Sequence, residues 1–129
     1  MSAMNTLRQL NDAPVSIAPD GLEVRILAAS ARGGMAHFRL GANSTGRAIL
    51  HEGLDEIWFC LSGSADLWLS PDGNIDDDPV AVSSGVSFAV PEGVSFQLRN
   101  LSDTPVDFIG VTMPPWPGDQ AVTLVDGPW

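Results

Sequence analysis

The 129-residue sequence contains no lysine and no tyrosine, a single cysteine, and only six basic residues, all arginine: Arg8, Arg25, Arg32, Arg39, Arg47 and Arg99. Without lysine there is no Schiff-base nucleophile and no P-loop; without tyrosine there is no phenolic general acid. Against 16 acidic residues the formal charge is −10. The six arginines are scattered, whereas nucleic-acid binding needs clustered positive charge, so that partner class is excluded. Cys60 alone can form neither an internal disulfide nor a multi-thiolate zinc site. No apolar run approaches the roughly 18 residues of a membrane span. Residues 1–14 lack the apolar stretch of a signal peptide. The expectation is one soluble, cytoplasmic domain over residues 1–129, with no membrane partner.

What the chain does have is strands and turns. Hydrophobic residues make up 44% of it, and 13 glycines and 10 prolines punctuate short β-branched runs. Turn signals recur at intervals of about 8–12 residues, the mark of an all-β domain. The candidate strands are Pro14–Ala18, Leu22–Ala28, Gly34–Leu40, Arg47–His51, Glu56–Leu61, Ala65–Leu69, Pro79–Val82, Val86–Val90, Val94–Arg99, Val106–Met113 and Ala121–Val125. Between them lie turn sequences such as Pro19-Asp20-Gly21 and Pro91-Glu92-Gly93. Only Asn5–Asn11 could start a helix. So many short strands, each burying one face, imply a sandwich or closed barrel. The acidic run Asp72–Asp78 lacks the glycine and glutamate placement of a calcium loop and reads as a solvated hairpin tip. Pro114-Pro115-Trp116-Pro117-Gly118 cannot sit in a central strand, because proline lacks the donor. It reads as an extended segment leading to a docked tail over residues 114–129.

Two motifs resemble those of the cupins. Gly85, then Pro91-Glu92-Gly93, Phe96 and Asn100 keep every spacing of the second cupin motif, with Phe96 in the histidine position. Upstream, His51, Glu56 and Gly63 keep the spacing of the first motif, with Ile49 where its first histidine belongs. The resemblance spans about residues 34–113. It implies a double-stranded β-helix, or jelly-roll barrel, with a ligand site in the barrel mouth, and it implies a homodimer. Leu22–Ala28 has the alternation of a strand laid on a partner's open edge.

The family's metal residues carry over poorly. Of its ligand positions only His51 and Glu56 (or Asp55, by the shorter count) are retained, whereas a transition-metal site generally wants three protein ligands. A metal-free barrel is the favoured reading. The alternative uses His37 as a substitute ligand beside His51 and Glu56, a two-histidine, one-carboxylate set suited to iron, manganese, nickel or zinc. Alternation over residues 35–40 directs Ala36, Phe38 and Leu40 inward and His37 with Arg39 outward; the opposite phase would allow the triad.

The same rule gives the cavity wall: Arg47, Ile49 and His51 on one strand, Glu56, Trp58 and Cys60 on the next, Phe96 and Leu98 opposite. The last strand offers either Phe108, Gly110 and Thr112 or Ile109, Val111 and Met113. An apolar pocket with a few polar groups suits a small organic ligand. Arg47 would attract an anionic group on it. His51 and Glu56 could act as an acid–base pair, with Glu56 orienting the ring and raising its pKa. Plainer roles stand beside these: His51 as a hydrogen-bonded core residue, Arg47 and Glu56 as an internal ion pair, Trp58 and Trp68 as packing, Cys60 as an inert thiol. Trp116 and Trp129 read as anchors of the tail rather than as ligand contacts. The functional expectation is a barrel that binds a small polar or anionic metabolite, with possible isomerase- or epimerase-like chemistry. The alternatives are a metal-dependent oxygenase or isomerase, and a non-catalytic sensor or structural protein.

Overall fold

Alternation of apolar and polar side chains dictates two faces for nearly every strand, and a computed structural model pairs those faces across a shared core. It describes residues 6–129. Twelve strands run in chain order: β1 Ser16–Ile17, β2 Glu23–Ala29, β3 Gly34–Leu40, β4 Ser44–Thr45, β5 Ile49–His51, β6 Asp55–Ser62, β7 Ser64–Ser70, β8 Val80–Ser83, β9 Ser87–Val90, β10 Ser95–Asn100, β11 Val106–Met113 and β12 Val122–Leu124. One sheet has the order β1-β2-β3-β11-β6-β9 and the other β12-β5-β10-β7-β8, with β4 also on β10. All pairings are antiparallel. This is the all-β double-stranded β-helix that the resemblance implied. The short helix start expected over Asn5–Asn11 is a 3-10 turn at Leu10–Asp12; Asn5 itself lies outside the described residues. No helix among them is long and apolar enough to cross a membrane.

The turns occupy the places that their residues demand. Gly93 has φ 79°, and Val94 donates its N–H to the Pro91 carbonyl at 3.1 Å, closing the turn between β9 and β10. Gly63, between β6 and β7, has φ 81°, and a Cβ there would strike the Pro105 carbonyl oxygen. A side chain is therefore excluded twice over, by conformation and by space. The acidic run lies in the connection between the paired strands β7 and β8, where the Ser70 hydroxyl lies 2.6 Å from an Asp77 carboxylate oxygen.

Strand β6 alternates strictly, with Glu56, Trp58 and Cys60 buried and Asp55, Ile57 and Phe59 exposed. On β11 the buried phase is Val106, Phe108, Gly110 and Thr112, which resolves the two phases left open by the sequence. On β3 the inward set is Ala36, Phe38 and Leu40, as alternation requires. Strand β10 departs from the pattern because both of its faces are covered. Phe96 and Leu98 join the core. Gln97 holds the C-terminal segment: its Nε2 donates to the Gly46 carbonyl at 2.8 Å and to the Trp129 carbonyl at 3.2 Å. The Arg99 guanidinium lies 4.3 Å from the Trp129 ring centroid, so Trp129 is an anchor of the tail. Leu22–Ala28 does not present a fully open edge, because β1 already pairs with β2 at Val24 and Glu23.

Candidate functional site

One end of the space between the sheets stays open as a cavity of about 540 Å³. Its floor is aromatic. Trp58 stacks on Phe38 with ring centroids 4.2 Å apart and an interplanar angle of 7°, and it meets Phe96 edge-on at 5.8 Å. Ile49 lies directly opposite Phe96 across β5 and β10, and both line the cavity. Two further segments complete the wall, β1 with the turn after it and the C-terminal tail. Residues 16–20 cross one side of the mouth, and Pro115, Trp116 and Asp119 come from the tail. The Trp116 ring stands edge-on to His51 at 5.7 Å.

Set into this wall are His51 and Glu56, 3% and 2% exposed. His51 Nδ1 lies 3.5 Å from Glu56 Oε1, too poorly aligned for a hydrogen bond, so Nδ1 is a buried polar atom without a partner. The same Glu56 oxygen accepts the Trp58 indole N–H at 3.0 Å. Burial pushes Glu56 up to about 7; the Trp58 hydrogen bond opposes that rise and the nearby Asp20 charge adds to it. Burial also presses His51 down to about 4. Both groups therefore favour their uncharged forms, since a low-dielectric wall penalises charge of either sign. The expectation that Glu56 raises the pKa of His51 is corrected: desolvation outweighs the neighbour.

Several other expected placements also change. Arg47 does not line the cavity. It is exposed, precedes β5, and donates its backbone N–H to the Asp20 carbonyl at 2.8 Å. It forms no ion pair with Glu56. Leu98 is buried in the core, away from the cavity lining. His37 points to the opposite face of β3 from Phe38, as expected, but it is buried rather than exposed. Its Nε2 lies 3.3 Å from Asp107 Oδ1, which also accepts Arg39 Nε at 2.7 Å. His37 is thus not brought together with His51 and Glu56, and the substitute triad does not form. Cys60 is fully buried, and burial raises its thiol pKa, in keeping with an inert role.

The sequence reading missed three contributors. Asp20 lines the cavity at 6% exposure, and burial lifts it to about 6, while Oδ1 accepts the Leu22 N–H at 3.1 Å. Its place in Pro19-Asp20-Gly21 signalled only a turn. Arg8 reaches the lining and donates to the Ile26 carbonyl at 3.3 Å. Trp116 lines the cavity instead of merely anchoring the tail.

The metal that the resemblance implies finds a poor donor set. Ile49 and Phe96 bring hydrocarbon to two ligand positions, leaving His51 and Glu56. Among the described residues no group of three or more histidine, cysteine, aspartate or glutamate side chains could hold an ion. Two protein donors are fewer than such a site generally uses.

Two facing antiparallel sheets, closed at one end and open to a ligand-sized cavity at the other, define a small jelly-roll barrel protein. A family model described as a cupin domain matches residues 34–112, more than half of the sequence. The chain belongs to the cupin family. No curated protein matches it significantly. Among solved structures it is similar to oxalate decarboxylase from Bacillus subtilis, with TM-score 0.78 and 15% identity over 97% of this chain and 33% of that one. It is also similar to KdgF from Halomonas sp., at TM-score 0.71 and 15% identity over 88% and 96% of the two chains. An uncharacterized double-stranded β-helix protein from Klebsiella pneumoniae gives TM-score 0.70 and 12% identity over 93% and 96%. At such identities the likeness shows the fold alone.

Proposed function

We propose that this cupin barrel binds a small polar organic molecule between its sheets, with His51 and Glu56 as a proton acceptor and a proton donor toward it. The observation that carries this reading is the pair itself. An imidazole and a carboxyl 3.5 Å apart, both nearly inaccessible and both driven toward their neutral forms by burial, sit in the wall of the cavity. A carboxyl whose pKa is pushed up to about 7 can give or take a proton near neutral pH, and a neutral imidazole offers the complementary lone pair. Such a pair suits proton transfer at carbon, as in an isomerase or epimerase. The reaction needs no third protein donor.

The test is a melting-temperature screen of the purified protein against small metabolites, since a ligand that binds only the folded state must stabilise it by mass action. Hits are then incubated in deuterated water. The expected result is a ligand whose stabilisation disappears in Ala36→Phe, which fills the cavity, and whose C–H exchange with solvent is lost in Glu56→Gln. Stabilisation that persists in Ala36→Phe would refute the cavity as the site. Binding without exchange in the native protein would reduce the function to ligand capture.

A further inference from the structure

Two acids and a histidine stand among the polar groups of the cavity, with Arg8, Ser16 and Thr112 also in its lining. Glu56 Oε1 receives the Trp58 N–H, and Asp20 Oδ1 receives the Leu22 N–H. Among the described residues no arginine forms an ion pair with either carboxyl. The imidazole beside Glu56 has an unpartnered Nδ1. A buried polar atom without a partner is costly unless something fills it. With Arg47 turned outward, the guanidinium in this lining belongs to Arg8, whose Nη1 donates to the Ile26 carbonyl. The hydrocarbon around these acceptors is aromatic, from Trp58, Phe96, Phe38 and Trp116. The net charge of −10 further favours approach of a cation over an anion.

We infer that the ligand is an organic cation, an ammonium or guanidinium on a small apolar body, with its charge held by Asp20 and Glu56 and its body against Trp58, Phe96 and Trp116. This rests on the reading of the cavity as a small-molecule site. It replaces the anionic class that an inward Arg47 would have favoured.

Three probes of one skeleton decide the matter: phenethylamine, phenethyl alcohol and phenylacetate, titrated calorimetrically into the native protein at neutral pH. A charge-assisted hydrogen bond is worth more than a neutral one by enough to give about tenfold in affinity. The amine should therefore bind at least about tenfold more tightly than the alcohol, and phenylacetate should be the weakest. Asp20→Asn and Glu56→Gln should each shrink the advantage of the amine while leaving the affinity of the alcohol nearly unchanged. An alcohol that binds as well as the amine, or a preferred phenylacetate, would overturn the cationic class and leave the cavity reading standing. Should none of the three bind, the charge of any metabolite hit decides: a cationic hit supports the inference, and a neutral or anionic one overturns it. Silence from both probes and metabolites would sink the inference together with the reading beneath it. Because the native protein alone ranks the probes, the result survives even if a variant fails to fold.

Discussion

The protein buries two histidines on opposite faces of its strands, and it treats them differently. His37, on the outer face of β3, sits within 3.3 Å of Asp107, a carboxylate that also takes Arg39 Nε at 2.7 Å and the Ser62 hydroxyl at 3.1 Å. Burial alone would lift Asp107, but Arg39 and Ser62 hold its pKa below the usual range. The result is a charged Arg39–Asp107 pair with His37 beside it; burial presses the His37 pKa down, and its Nδ1 has no partner. His51, on the inner face, has a carboxyl neighbour and no cation. There Glu56 moves upward instead, and the imidazole, like that of His37, keeps an unpartnered Nδ1. The same pair of residue types thus differs in its carboxyl, held ionised where an arginine completes the cluster and driven toward its neutral form where none does. A titratable group shifted in this way beside a cavity is what marks a candidate site.

The two faces should first separate in packing. Trp58 is 1% exposed and contacts four aromatic rings, whereas its neighbour Phe59 points outward and is 46% exposed. Trp58→Ala removes a large core side chain that the surrounding rings cannot fully replace, so it should cost about 3–5 kcal/mol. Phe59→Ala should cost less than about 1 kcal/mol. Urea unfolding of both variants checks this. Comparable losses would mean that the outer face is covered in solution, as by a second copy of the chain.

The next effect concerns pH, and the two carboxylates should respond with opposite sign. Glu56 has a native pKa above its ordinary 4.5, at about 7, so the folded state holds its proton more tightly than the unfolded chain. Its stabilising contribution is full below 4.5 and is lost as pH rises through about 7. The change amounts to about 3 kcal/mol at most. Asp107 is depressed, so its contribution is present above the ordinary 3.8 and disappears as pH falls through the native value. The melting temperature of Glu56→Gln relative to the native protein should therefore climb from about pH 4.5 and level off above about pH 7. That of Asp107→Asn should lie below the native protein at neutral pH and approach it in acid. His51, pressed down to about 4, gains stability as pH rises and partly masks Glu56 in the native curve. The difference between variants is thus the quantity to measure. A Glu56→Gln difference that stays flat with pH would mean that Glu56 titrates as an ordinary surface acid.

The barrel was legible because its signals are local and redundant. Gly63, Gly93 and Pro91 fix turns whatever surrounds them, and the alternation of β6 and β11 assigns faces residue by residue. Within the site, His51, Glu56, Ile49, Trp58 and Phe96 were placed correctly by that same alternation. What it could not reach were the segments that close the mouth. Asp20 lies in a turn, Arg8 before the first strand, and Trp116 in a proline-bound tail; none has a period to read. Leu98 faces inward as expected, yet it lies in the core rather than at the cavity, and depth along a barrel has no sequence signature. The burial of His37 was hidden for another reason. It depends on the cross-strand neighbours Arg39 and Asp107, which meet through the register of β3 with β11.

Arg47 gives the smallest expected effect. Period two applies only within a strand, and β5 begins at Ile49, so the phase that placed Arg47 beside His51 did not extend to it. The main chain at Arg47 instead follows the turn before β2, with its N–H on the Asp20 carbonyl. An exposed side chain without an ion pair contributes little, and Arg47→Ala should change stability by no more than about 0.5 kcal/mol. It should also leave the affinity for any cavity ligand unchanged. Asp20→Asn, although it lies at the other end of that backbone hydrogen bond, should weaken a cationic ligand. If Arg47→Ala instead weakened ligand binding severalfold, the guanidinium would have to turn inward in the bound state. The anionic class would then regain the cation it lacks.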